Sequence, residues 1–284
     1  MAVGVVAAGF IVVAQGRSEH DAPHSPPPAV PVRALRSIPV PAAPPSPLPL
    51  DELQPSFEQL AATLPADVGV AVSAGDVTMT YGNWQTGAAW STIKVPLAIA
   101  AIRKDPAAAE PLVDAAITQS DNAAADQLWD SLGTPTDAGA AVQQVLADGN
   151  NAGVGVQTTQ VRPPYSPYGQ TTWSLEQAAR FAFTLPCLAV DSLLGQMADI
   201  ATDQQWGFAG DTGVAAKGGW GPEADGGYLV RQIALVGDGP DSFGVAVAAK
   251  PNDGTFATGT AMLDQLANWV GDHRTQLPKG NCAG

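Results

Sequence analysis

The chain has 284 residues, 45% of them apolar, which is enough to build a sizeable core. Its formal net charge is −14 with only 13 Lys and Arg, so nucleic acid and anionic lipid surfaces are excluded as natural partners. Three histidines (His20, His24 and His273) and two cysteines (Cys187 and Cys282) cannot readily furnish a four-ligand zinc site. They also predict that any hydrolytic base in this chain is not histidine.

In chain order, Ala2 to Ala14 (AVGVVAAGFIVVA) form one unbroken run of apolar and glycine residues. The run is short for a bilayer span and reads as the apolar stretch of an export signal. No Lys or Arg precedes it, and cleavage sites after Ala14 or Gly16 are weak. Residues 1–20 are therefore expected to be either a signal peptide or an uncleaved N-terminal membrane anchor. Eleven prolines fall between Pro23 and Pro49. Such a stretch keeps neither helical nor ladder hydrogen bonds, so residues 21–50 read as an extended, solvated linker rather than a ligand for a partner module.

Residues 51–284 read as one domain without internal repeats. Leu53, Phe57, Leu60 and Leu64 recur at helical spacing. Val68–Ser73 and Val77–Tyr81, separated by Ala74-Gly75-Asp76, predict a hairpin. Helices are expected near Ser91–Arg103, Pro111–Leu132, Asp137–Ala147, Leu175–Leu185 and Val190–Ile200. Strands are expected at Gly213–Gly218, Tyr228–Val236 and Phe243–Ala249. A last helix carries Met262, Leu266 and Trp269 or Val270 on one face. Strands at both ends of a helical middle predict an α+β fold: one antiparallel sheet of N- and C-terminal segments, flanked by helices, plus an all-helical lobe. A site is expected in the cleft between them. Export favours oxidation and no motif claims either cysteine, so Cys187 and Cys282 are expected to form one disulfide, tying the C-terminal tail to the helical lobe.

Three short motifs carry chemistry. Ser91-Thr92-Ile93-Lys94 opens an apolar helix, and residues three apart share a helix face, so the Lys94 amine can reach the Ser91 hydroxyl. The positive helix end and partial burial favour a neutral Lys94 able to take the Ser91 proton. Taken alone the pattern is weak, because Ser-x-x-Lys arises by chance about once in such a chain, as a helix cap followed by a solvated lysine. Ser120-Asp121-Asn122 is rarer and sits where one helix ends and another starts. It reads either as a helix cap or as a proton shuttle (Ser120) and an amide contact to substrate (Asn122), with Asp121 holding the turn. Lys217-Gly218-Gly219 ends a strand whose glycines let a substrate backbone approach closely. Its plain alternative is a strand-end lysine before a turn.

Taken in this order, the three motifs resemble the Ser-x-x-Lys, Ser-Asp-Asn and Lys-Thr-Gly set of class A β-lactamases and penicillin-binding proteins. WSTIKVPL and AAITQSDNAAADQLW extend the likeness, which covers roughly Leu53 to Val270. The resemblance implies Ser91 as nucleophile, Lys94 as general base, and Ser120 and Lys217 as partners in proton transfer and charge. It also implies substrate contacts from Asn122, Gly218 and Gly219, and an oxyanion hole from the N–H groups of Ser91 and Trp220. No metal or cofactor is implied, and a monomer in the bacterial cell envelope, outside the cytoplasm, is expected.

Three departures stand out. Gly149 to Leu175 contains no Asp or Glu, although class A enzymes carry a loop Glu-x-x-Leu-Asn there for deacylation. Glu176 reads as a first-turn helix charge, with Ser174 and Gln177 as a capping box. Gly218 replaces the usual Thr or Ser, and Arg231 on the next strand is expected to compensate in part as a ligand for a substrate carboxylate, with strand register deciding the face it occupies. The stretch from Lys94 to Ser120 is short, so the helical lobe is reduced. Two functions follow. The first is a serine acyl-enzyme acting on β-lactams or D-alanyl-D-alanine-type stem peptides, slow to deacylate unless a carboxylate such as Asp148 or Glu176 serves. The second is a non-catalytic module that holds cell-wall peptide or penicillin.

Overall fold

Phe57 explains how the N-terminal helix attaches. The computed structural model describes residues 52–188 and 191–282, and in it Phe57 on α1 (Gln54–Ala61) packs edge-on against Trp269 and beside Tyr81. The leader and linker readings for residues 1–50 lie outside the described residues.

β1 (Ala66–Ala74) and β2 (Val77–Gly82) form the expected hairpin, in which Ala74 pairs with Val77 and Gly75 takes a left-handed φ of 57°. β5 (Val214–Pro222), β6 (Tyr228–Val236) and β7 (Phe243–Pro251) form a second run. β1 pairs antiparallel with β7, Val70 opposite Val247, giving the order β2-β1-β7-β6-β5. The sheet is thus closed by distant segments, and β5 is a free edge. A small second sheet pairs β3 (Thr86–Ala88) with β4 (Thr172–Ser174). Three-residue strands leave no periodic signal, and these two were not expected.

The helical middle contains α2 (Lys94–Lys104), α3 (Pro106–Thr118), α4 (Asn122–Ser131), α5 (Pro135–Asp148), α6 (Leu175–Leu188) and α7 (Asp191–Ala198). The single helix expected over Pro111–Leu132 is two. α3 begins earlier because Asp105 accepts a hydrogen bond from the Ala108 N–H, and the chain breaks at Gln119–Asp121. α2 is buried without interruption from Lys94 to Ala101, as befits a helix apolar all round. α6 lies against β1 and β7. A Cβ at Gly244 would come within 2.2 Å of the α6 backbone at Ala179 and Phe183, so that approach requires glycine. Ser174 and Gln177 cap α6 reciprocally, at 3.1 and 3.2 Å, as expected. α8 (Phe256–Asp272) covers the other face with Met262, Leu266, Trp269 and Val270, all buried. A disulfide joins Cys187 to Cys282 across a separation of 95 residues. It ties the tail to α6, the sheet-backing helix, rather than to the helical lobe. Among the described residues, no helix is long and apolar enough to cross a membrane.

Candidate active site

A cleft of about 500 Å³ runs between the β5 edge, the start of α2, the turn before α4 and the loop around residues 164–170. Its walls bring together Ser91, Lys94, Ser120, Asn122 and Trp220. Ser91 lies in a 3-10 turn, Trp90–Ile93, that runs directly into α2. Side chains three apart eclipse in such a turn, which sets Lys94 above Ser91. Trp90, just before Ser91, has a φ of 51°, a costly conformation for a large side chain. Packing enforces it. The Trp90 ring fills the space over Gly221, where a Cβ would sit 2.4 Å from it, and meets Tyr165 edge-on. β5 passes so close that a Cβ on Gly219 would lie 2.8 Å from the Ser91 nitrogen.

Ser120, like Trp90, is a non-glycine residue in left-handed conformation, with a φ of 54°. Asp121, extended, caps α4 by accepting the Ala124 N–H at 2.8 Å, so it holds the turn as expected. This geometry aims the Ser120 carbonyl and hydroxyl at the two buried lysines. Lys94 Nζ donates to the Ser120 carbonyl at 2.6 Å, to Asn122 Oδ1 at 2.7 Å and to Ser120 Oγ at 3.4 Å. The amine therefore turns toward the second motif instead of the Ser91 hydroxyl, because that turn offers three acceptors at once. Lys217 Nζ donates to Ser120 Oγ at 2.9 Å and to the Gly218 carbonyl at 3.1 Å.

Both lysines are essentially inaccessible, 1% and 0% exposed. Burial lowers Lys94 to about 8, with Asp121 and Asp126 pulling partly back. Burial, and then repulsion from Lys94, holds Lys217 well below the usual lysine range. Two ammonium groups sharing one serine oxygen cannot both stay charged cheaply, and the acidic neighbours favour the proton on Lys94. Among the described residues no group of three or more His, Cys, Asp or Glu side chains is gathered to hold a metal.

Neither a known protein-family profile nor a curated protein matches this sequence. Solved structures do. A β-lactamase from Streptosporangium roseum superimposes with a TM-score of 0.61 at 17% identity, covering 79% of this chain and 98% of its own. A mutant of the last common ancestor of Gram-negative bacteria class A β-lactamase gives 0.59 at 19% identity, over 78% and 98%. The chromosome-encoded β-lactamase of Vibrio parahaemolyticus gives 0.58 at 14%, over 78% and 98%. This chain has the class A β-lactamase fold.

Within the β-lactamase fold, several expected residues fall elsewhere. Arg231 does not reach the cleft. It sits opposite Gly219 in the β5–β6 register, and its Nη1 donates to the carbonyls of Ala88 and Trp173, each at 3.0 Å. Its guanidinium lies between Trp84 and Trp173 and is fully buried. That makes it a clamp on the β3–β4 sheet rather than a ligand for a substrate carboxylate. A Cβ on Gly218 would meet the Trp206 ring at 2.4 Å, so Trp206 occupies the space a threonine side chain needs. Trp220 packs its half-buried ring against Phe256 and Trp206. Glu176 pairs with Arg180 and Asp148 with Arg103, and neither lines the cleft.

Asp126 and Tyr168 are among the lining residues that no sequence motif pointed to. Asp126 lies on α4 one turn beyond Asn122, and buried Tyr168 donates to its Oδ1 at 2.6 Å. The i,i+4 spacing from Asn122 was the available signal for Asp126. Tyr168 is 42 residues away in a loop without periodicity, and nothing in the sequence marks it.

Proposed function

We propose that this protein is a serine acyl-enzyme hydrolase acting on β-lactams or D-alanyl-D-alanine-type cell-wall peptides, with deacylation as the slow step. The observation that carries the reading is the convergence of two buried lysines on Ser120 Oγ beside Ser91. In this mechanism Lys94, once neutral, takes the Ser91 proton as Oγ attacks the substrate carbonyl. The N–H groups of Ser91 and Trp220 receive the developing oxyanion. Ser120, hydrogen-bonded to both lysines, passes the proton to the departing nitrogen. Asn122 and the β5 edge at Gly218 and Gly219 hold the substrate backbone. Lys217 supplies charge when a substrate carboxylate enters, since a nearby anion raises its affinity for a proton.

A catalytic role fits this site better than passive peptide binding, because burying two lysines against one serine is expensive and serves proton transfer. The working context is a monomer outside the cytoplasm, carried on the residue 21–50 linker behind a signal peptide or anchor.

Mass spectrometry after incubation with penicillins and cephalosporins tests the proposal. A covalent adduct or hydrolysed product is expected, and Ser91→Ala should abolish both while changing stability by about 1 kcal/mol or less. Labelling that survives in Ser91→Ala, or no reaction of the wild type with any compound, refutes it.

A further inference from the structure

An acyl-serine ester is released only if a water attacks it, and that water must give up a proton. The segment from Gly149 to Leu175, part of which lines the cleft around residues 164–170, offers no carboxylate for this task. Glu176 and Asp148 are spent in ion pairs away from the cleft. Among the described residues lining the cleft, one carboxylate remains, that of Asp126. We propose, resting on the acyl-enzyme reading above, that Asp126 is the general base of deacylation and that Tyr168 is its positioning residue.

The arrangement suits that work. Asp126 projects from α4 one turn past Asn122, whose amide oxygen lies 2.7 Å from Lys94 Nζ, so it stands on the catalytic side of the helix. Its charge reaches that lysine, being one of the two that hold the proton on Lys94. Tyr168 Oη binds Oδ1, which fixes the carboxylate and leaves Oδ2 for a water. Burial, and then Asp126 itself, raise Tyr168 above the ordinary tyrosine range, so it stays a donor at any working pH. Its ring packs against Trp129 at 5.2 Å on the same helix, which ties the loop wall to α4. The loop that lacks a base thus supplies the group that orients one.

In the reaction, the water oxygen bonds to the acyl carbon as one of its protons passes to Asp126. The bond from that carbon to Ser91 Oγ then breaks, and the proton is returned to Oγ. A carboxylic acid and a free serine result, so atoms and charge balance without another reactant.

The test follows the decay of a benzylpenicillin adduct on the full chain by mass spectrometry, comparing wild type with Asp126→Asn. Asparagine keeps an acceptor for the Tyr168 hydroxyl but cannot take a proton, so a merely structural role would leave the decay unmoved. The variant should form its adduct within about threefold of the wild-type rate and lose it about 10²-fold more slowly. Tyr168→Phe should keep acylation and slow the decay about 10-fold. It serves as the test if Asp126→Asn loses its melting transition. Decay within threefold of wild type in the folded Asp126→Asn, or unchanged decay in Tyr168→Phe, overturns the assignment while leaving the acyl-enzyme intact. A wild-type adduct that never decays also overturns it. A wild type that forms no adduct fails earlier, and takes the acyl-enzyme reading with it.

Discussion

Acylation should be governed by one proton, on Lys94, and the perturbation that exposes it is pH. Burial is the main cause of the depressed Lys94 affinity, and Asp121 and Asp126 limit the drop, leaving the lysine at about 8. If only the neutral amine accepts the Ser91 proton, the acylation rate tracks the neutral fraction. That fraction is about one half at pH 8, a tenth at pH 7 and a hundredth at pH 6. The second-order rate constant for acylation should therefore climb about 50-fold from pH 6 to pH 8 and level off above pH 9. An unperturbed lysine at 10.5 would instead still be rising tenfold per unit at pH 9. Quenched-flow mass spectrometry with a pH-stable cephalosporin gives the profile directly. Asp121→Asn provides a second lever. Asparagine still caps α4, but it removes the larger of the two charges that favour the ammonium, so the midpoint should move to lower pH. A flat profile between pH 6 and pH 9, or a midpoint unmoved in Asp121→Asn, would refute the role of Lys94 as base.

Two further outcomes test the architecture. Gly218→Thr should cost about 1–3 kcal/mol in chemical denaturation, because the new side chain collides with Trp206, and Trp206→Leu should recover part of that loss. An undiminished stability in the single variant would show that Trp206 does not fill that space. Reducing the Cys187–Cys282 bridge frees a loop with a 95-residue separation and should lower unfolding free energy by about 4–5 kcal/mol in the chain-entropy account. Full thiol titration of the unfolded, unreduced protein would show the bridge absent.

The sequence by itself determined whatever rests on local order. Apolar spacing gave away α1, α6 and α8, and Ser174 with Gln177 announced the cap of α6. β6 runs over Tyr228–Val236, as its residues alone indicate. The three motifs could be found because each is contiguous: Ser91 and Lys94 share a helix face whatever surrounds them, and Ser120-Asp121-Asn122 carries its own turn.

Tertiary structure decided what depends on parity and on contact between distant segments. Strand neighbours alternate faces, so pairing Arg231 with Gly219 sent its guanidinium into the carbonyls of β3 and β4, where a shift of one residue would have reversed it. Gly218 looks like a lost hydroxyl in the sequence, and only the packing shows Trp206 in its place. The direction of the Lys94 amine was settled by acceptors more than 25 residues away, at Ser120 and Asn122. Asp126 and Tyr168 meet across 42 residues because α4 and the cleft loop pack through Trp129. Hydrogen bonds of that kind form only after the core has brought their elements together, and no local pattern in the sequence encodes them.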